Sequence, residues 1–306
     1  MKDFLSIIDC PTEFLKDLLR ISTRLKRLYT FGGNELCLAG KTLAMLFEKP
    51  SLRTRISFQV AMTDLGGHPI YVKPEDIGGI GKREPVKDIA RVLSRYVDGI
   101  MARTFEHSTV TELAEYATVP VINALTDWSH PCQAMADVLT IEEYFDDTKG
   151  IKIAFIGDGN NVARSLAFAC AKLGMQMIVA TPVGYELDAE AIEKANQISA
   201  DCVRQTNDPN EAVAGAHIIY TDTWVSMGQE DEKQKRRADF AGFQVNAELV
   251  NAAPSHVKIM HCLPAYRGFE ITDEVVESPN SIMFDQAENR LHLQRALLKK
   301  LMSQPS

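Results

Sequence analysis

The chain has 306 residues, 45% of them hydrophobic and 24% charged, which is long enough for two domains and excludes collagen-like, disordered and small disulfide-stapled classes. Its 33 Lys and Arg against 41 Asp and Glu give a net charge of −8, which argues against nucleic acid as a partner because phosphate neutralisation needs a basic face. No window reaches the roughly 18 uninterrupted apolar residues of a membrane span, no export signal opens the chain, and six scattered cysteines form no CxxC pair; a cytoplasmic chain with reduced thiols, no membrane and no metal is expected.

Short apolar runs alternate with stretches of helical period in both halves, the pattern of an α/β chain with parallel sheets and crossover helices. A helix is expected from Pro11 to Tyr29, followed by strands at Thr42 to Phe47, Pro69 to Val72, Gly99 to Ala102 and Val119 to Asn123. A helix from Gln133 to Phe145 leads into the turn-rich DDTKG, Asp146 to Gly150, which marks the joint between residues 1–146 and 147–287. Beyond it, strands are expected at Ile151 to Ile156, Gln176 to Ala180, His217 to Tyr220, Val257 to His261 and Ser281 to Phe284, with helices at Val162 to Leu173 and Ala189 to Ile198. The stretch MGQEDEKQKRRADF reads as a charged surface loop, with a mobile lid as the alternative. The last segment, 288–306, reads as an amphipathic helix that needs another surface to cover, for which the first domain is the candidate.

The strongest chemical signal is FEKPSLRTRISF. An apolar strand ends at Phe47, and Ser51, Leu52, Arg53 and Thr54 open a helix whose N-terminal N–H groups, hydroxyls and arginine fork suit a phosphate. A plain serine N-cap is the competing explanation, but two arginines in a first turn oppose the helix dipole unless an anion compensates them. Arg103 ends an apolar run, where parallel sheets bind ligands, with a surface salt bridge as the alternative. In SHPCQ, His130 and Gln133 stand three apart at a helix start and can face one ligand; a capping or core histidine competes. IGDGNN has Gly157 and Gly159, but Val162 takes the third glycine position of the dinucleotide fingerprint and the next strand ends without an acid, so a nicotinamide cofactor is not expected. Asn160 and Asn161 remain at a sheet edge, one of them a candidate N-cap. TDTWVSMG supplies Asp222, Ser226 and Met227, an acid and a hydroxyl suited to an amino-acid ammonium. HCLP places Cys262 at a strand end, and AENR puts Arg290 at the expected start of the last helix.

In this order, SLRTR, HPCQ, DTWVSMG, HCLP and AENR resemble the aspartate/ornithine carbamoyltransferase family, and its ornithine branch in particular. The resemblance implies two doubly wound parallel-sheet α/β domains, the first binding carbamoyl phosphate and the second ornithine, with the active site in the cleft between them. It implies that Ser51, Leu52, Arg53, Thr54, Arg103, His130, Gln133, Cys262, Leu263 and Arg290 hold carbamoyl phosphate, that Arg103, His130, Cys262 and Arg290 are catalytic, and that Asn161, Asp222, Ser226 and Met227 bind ornithine. The products would be citrulline and phosphate, with no cofactor and no metal, in a homotrimer or an assembly of trimers; the direction, arginine biosynthesis or citrulline breakdown, stays open. Two departures stand out: Leu52 replaces the usual threonine of STRT, and Gly78 and Gly79 stand where many relatives have a glutamine that reaches the neighbouring subunit. An N-acylornithine or putrescine acceptor is the alternative within the family, and a non-catalytic anion-binding protein the alternative outside it.

Overall fold

The computed structural model describes residues 1–225 and 230–303. Contacts divide the chain into two compact units, Met1–Leu139 with Asn289–Ser306, and Thr140–Glu288. The first unit carries strands β1 (Thr42–Phe47), β2 (His68–Val72), β3 (Gly99–Arg103) and β4 (Val121–Leu125), and the second β5 (Lys152–Ile156), β6 (Gln176–Ala180), β7 (Val203–Thr206), β8 (Ile218–Thr221) and β9 (Lys258–His261). Helices in the first half are α1 (Thr12–Thr30), α2 (Leu52–Asp64), α3 (Pro74–Ile77), α4 (Val86–Leu93), α5 (His107–Tyr116) and α6 (Pro131–Phe145). They are followed by α7 (Asn161–Leu173), α8 (Ala189–Ile198), α9 (Pro209–Val213), α10 (Lys233–Asp239), α11 (Ala247–Asn251), α12 (Asp273–Val276) and α13 (Met283–Met302).

Both sheets are wholly parallel, ordered β2-β1-β3-β4 and β7-β6-β5-β8-β9. Strands such as β3, buried at every position, read as unbroken apolar runs because both faces of a doubly wound sheet are covered. In the first unit Ala44, Leu46, Ile100 and Ala102 pack with Ile89, Val110 and Leu113; in the second Ala154, Ile156, Ile219 and Ile259 pack with Val213, Phe240 and Val275. In each sheet the winding direction reverses once, between β1 and β3 and between β5 and β8, and the loops leaving the C-terminal ends of such strand pairs are where open α/β sheets bind ligands. SLRTR and Arg103 leave the first pair; GDGNN and Asp222 leave the second.

Three sequence expectations change. Ser281 to Phe284 is not a strand: Ser281 makes one isolated bridge to Ile259, and the chain then turns into α13 at Met283. Helix α13 therefore begins earlier than expected, and Arg290 lies two turns inside it. The charged stretch expected as a loop folds from Glu230 into a turn of 3-10 helix and α10. Strand β7 was not anticipated, because VRQT is polar and only Val203 is buried on this edge strand. Among the described residues no helix is long and apolar enough to cross a membrane.

Candidate active site

The loop after β1 builds a helix N-terminus open to an anion. Ser51 is the N-cap of α2, in extended conformation, and its Oγ accepts from the Thr54 N–H at 3.3 Å. The first i to i−4 bond runs from Arg55 N to Ser51 O, so the N–H groups of Leu52 and Arg53 precede the helical ladder. No acid stands in this first turn. The two arginines separate: Arg55 turns away, donates to Gln59 Oε1 at 3.3 Å and stacks 3.9 Å over the Tyr71 ring. Arg53 makes no hydrogen bond or ion pair with any described residue and lies close enough to Arg103 to repel it. The Leu52 side chain is 75% exposed, so its departure from threonine leaves the backbone N–H as that residue's contribution.

Around this terminus the first unit gathers buried cations. Arg103, at the end of β3 and paired with Phe47 of β1, donates Nη1 to Thr54 Oγ1 at 3.4 Å. Arg290 donates Nη2 to the same oxygen at 3.1 Å and Nη1 to Gln133 Oε1 at 2.5 Å, with Nη1 also 3.3 Å from His130 Nε2. A guanidinium only donates, so that ring nitrogen is the acceptor. Thr54, 1% exposed, accepts from both arginines, and its own O–H proton has no acceptor among the described residues. Gln133 in turn donates Nε2 to buried Asp137 at 2.7 Å.

The electrostatics of this cluster are those of an anion site. Burial, with Arg290, Arg103 and Lys49 nearby, holds the His130 ring well below the ordinary histidine range, so it is a neutral imidazole at pH 7. Burial and the like charges of Arg290 and Arg53 push Arg103 downward as well, although a guanidinium stays protonated. Lys49, 8% exposed, is brought to about 8 by burial and by Arg103. These like charges raise one another's free energy, and a bound dianion lowers it.

In the second unit Asn160 caps α7, its Oδ1 accepting from the Val162 and Ala163 N–H groups, while its Nδ2 donates to Asp222 Oδ2 at 2.8 Å. The other Asp222 oxygen accepts from Thr223 N at 2.7 Å and from the Cys262 thiol at 2.9 Å. Asn161 is the first residue of α7. Cys262 and Leu263, which the resemblance groups with the carbamoyl phosphate residues, belong to this unit, and Cys262 is bonded to Asp222. Leu263 has φ 57° and a cis bond to Pro264, and its N–H donates to His261 Nδ1. Ser226 and Met227 lie outside the described residues. Gly159 is not a dinucleotide glycine: a Cβ there would meet the Leu187 nitrogen at 2.1 Å, so it serves the close approach of the 185–187 loop.

One ligand atom from each of Asp222, His261 and Cys262 falls within 4.8 Å of the others. This trio is already hydrogen-bonded, however. His261 uses Nδ1 on Leu263 and Nε2 on Glu270 at 3.2 Å, and Asp222 holds the Cys262 thiol, so a metal would have to displace these bonds.

Family models cover most of the chain: the carbamoyl-P binding domain of aspartate/ornithine carbamoyltransferases matches residues 2–143, and the Asp/Orn binding domain matches 149–301. The chain belongs to the aspartate/ornithine carbamoyltransferase family. It is 52% identical to the ornithine carbamoyltransferase of Methanocorpusculum labreanum, over 99% of each chain. Against the anabolic ornithine carbamoyltransferase of Pyrococcus furiosus it is 51% identical, over 98% of this chain and 96% of that one. A solved structure of the Pyrococcus furiosus ornithine carbamoyltransferase superposes with a TM-score of 0.97 at 50% identity, covering 100% of this chain and 98% of that one. The Asp/Orn match of this carbamoyltransferase chain runs to residue 301, whereas the contacts of α13 from Asn289 onward lie in the first unit.

Sequence reasoning missed several residues that the carbamoyltransferase fold brings to these groups. Asp137 was detectable as the i+4 neighbour of Gln133, and Lys49 as a cation beside SLRTR. Glu270 gave no local signal, because it reaches His261 through a loop.

Proposed function

We propose that this protein is an ornithine carbamoyltransferase, moving the carbamoyl group of carbamoyl phosphate to the δ-amine of L-ornithine to give L-citrulline and phosphate. The observation that carries this reading is the meeting of Arg103 and Arg290 at the Thr54 hydroxyl oxygen, with Arg53 near Arg103 and with neutral His130 and Gln133 beside Arg290, in a chain of this family. Arg53, Arg103 and the N–H groups at the start of α2 hold the phosphate as a dianion, with Ser51 and Thr54 adding hydroxyl donors. The attacking amine must be neutral, whereas a free alkylammonium has a pKa of about 10.4, so the site must favour loss of that proton. As the amine adds to the carbamoyl carbon, negative charge moves to the carbonyl oxygen, where Arg103, Arg290, Thr54 and His130 are placed to stabilise it. The C–O bond to phosphate then breaks, and the phosphate takes the amine's proton as it leaves.

In the second unit Asp222, with Asn161, Ser226 and Met227, binds the α-amino and α-carboxylate groups of ornithine, and Cys262 and Leu263 serve the reacting centre. The hydrogen-bonded pair of Asp222 and Cys262 supports this grouping. The same proposal carries a homotrimer, or a set of trimers, in the cytoplasm; light scattering at three times the chain mass, or a multiple of it, tests the assembly. Stoichiometry tests the chemistry. Purified protein given both substrates should yield citrulline and phosphate in equal amounts, and phosphate without citrulline would contradict the transfer.

A further inference from the structure

The Gln133 amide sits between two groups that each allow it a single orientation. Its Nε2 donates to Asp137, one turn further along α6 and fully buried, and its Oε1 accepts from Arg290. An ionised carboxylate only accepts and a guanidinium only donates, so turning the amide end for end would set oxygen against oxygen and N–H against N–H. The two restraints differ in kind. Arg290 also holds Thr54 within the cation cluster, so its hydrogens are shared with whatever anion binds there. A carboxylate does not follow an anion, and Asp137 keeps the amide in place when Arg290 shifts its bonds.

The consequence is an acceptor in a pocket of donors. Arg53, Arg103, Arg290 and the Thr54 hydroxyl all offer hydrogens, while Gln133 Oε1 offers a second lone pair beside the one that Arg290 uses. Carbamoyl phosphate, on the function proposed above, has one group that seeks an acceptor: its NH2. Acetyl phosphate presents the same phosphate and carbonyl oxygen with a methyl in that position. We propose that Asp137 is a positioning residue that fixes the polarity of the Gln133 amide and, through it, the selection of carbamoyl phosphate over acetyl phosphate.

The test is a ratio, measured at saturating ornithine: KM for carbamoyl phosphate against the competitive inhibition constant of acetyl phosphate. Asp137→Leu should raise the first about three- to tenfold, the range of one lost neutral hydrogen bond, and leave the second within about twofold. Asp137→Asn, whose amide oxygen still accepts from Gln133, should restore the wild-type ratio. A purely structural role for Asp137 would weaken both ligands equally, and an unchanged ratio in Asp137→Leu, or no rescue by Asp137→Asn, overturns the proposal. If Asp137→Leu does not fold, Gln133→Met decides: the same rise in the ratio supports the proposal, and a preserved ratio overturns it. A wild-type enzyme that forms no citrulline would instead overturn the proposed function.

Discussion

Arg53 is unusual in what it lacks: a half-buried guanidinium at a helix N-terminus, with no hydrogen-bond or ion-pair partner among the described residues and another buried arginine within repelling range. Such a residue is best explained by a ligand that supplies the missing acceptors. Arg53→Ala should therefore reduce kcat/KM for carbamoyl phosphate by about 1.5 to 3 kcal/mol, the worth of charged hydrogen bonds, and unchanged kinetics would remove Arg53 from the phosphate site. Lys49 adds a pH dependence. Its ammonium is brought to about 8 by burial and by Arg103, so the site loses a positive charge as pH rises through that value. The affinity for dianionic inorganic phosphate should fall roughly three- to tenfold between pH 7.5 and 9.5, a loss of about 1 kcal/mol of attraction, and Lys49→Met should flatten the profile. Calorimetry at each pH checks it. The sign for stability is the opposite: the unfolded chain binds this proton more tightly, so Lys49 costs stability fully below pH 8 and the cost fades toward its ordinary value near 10.5. The arginines and hydroxyls of SLRTR were legible in the sequence because they are local to one helix start. The depressed Lys49 and the tie between Gln133 and Asp137 were not fully so, since both depend on what buries them.

At the scale of elements, α13 illustrates where local pattern misleads. SIMF has the apolar look of a strand, yet after the bridge at Ser281 the chain begins a 20-residue helix that carries Arg290 to Thr54 from well inside it. A cation there has no helix-dipole reason to be expected, and its position follows from packing. The same helix carries Arg295, fully buried, which donates to Asn34 Oδ1 at 2.7 Å and to the Leu25 carbonyl, lies 3.7 Å from Asp64 and stacks on Tyr29. Removing one member of such a buried network leaves polar groups unmet. Arg295→Ala should lower unfolding free energy by about 3 to 5 kcal/mol in chemical denaturation, and no loss would mean that α13 is held by its leucines alone. Strand β7 escaped notice for a related reason: a polar edge strand is specified by its pairing with β6, which the tetrapeptide VRQT does not announce.

At the scale of the whole molecule, two parallel sheets each reverse their winding once; SLRTR and Arg103 leave the strands at the first reversal and GDGNN and Asp222 at the second, while His130 and Cys262 follow the adjacent strands β4 and β9. This much was legible from the alternation of apolar runs and helical stretches, because buried parallel strands advertise themselves as continuous apolar segments. The proposed function divides labour between the units: cations in one for a phosphate, an acid and a thiol in the other for an amino acid. The most direct measurement is product formation with carbamoyl phosphate and a panel of acceptors, L-ornithine beside putrescine, aspartate and N-acetylornithine. The kcat/KM for ornithine should exceed the others by orders of magnitude. A preference for any other acceptor would keep the phosphate pocket and contradict the roles given to Asp222 and its neighbours.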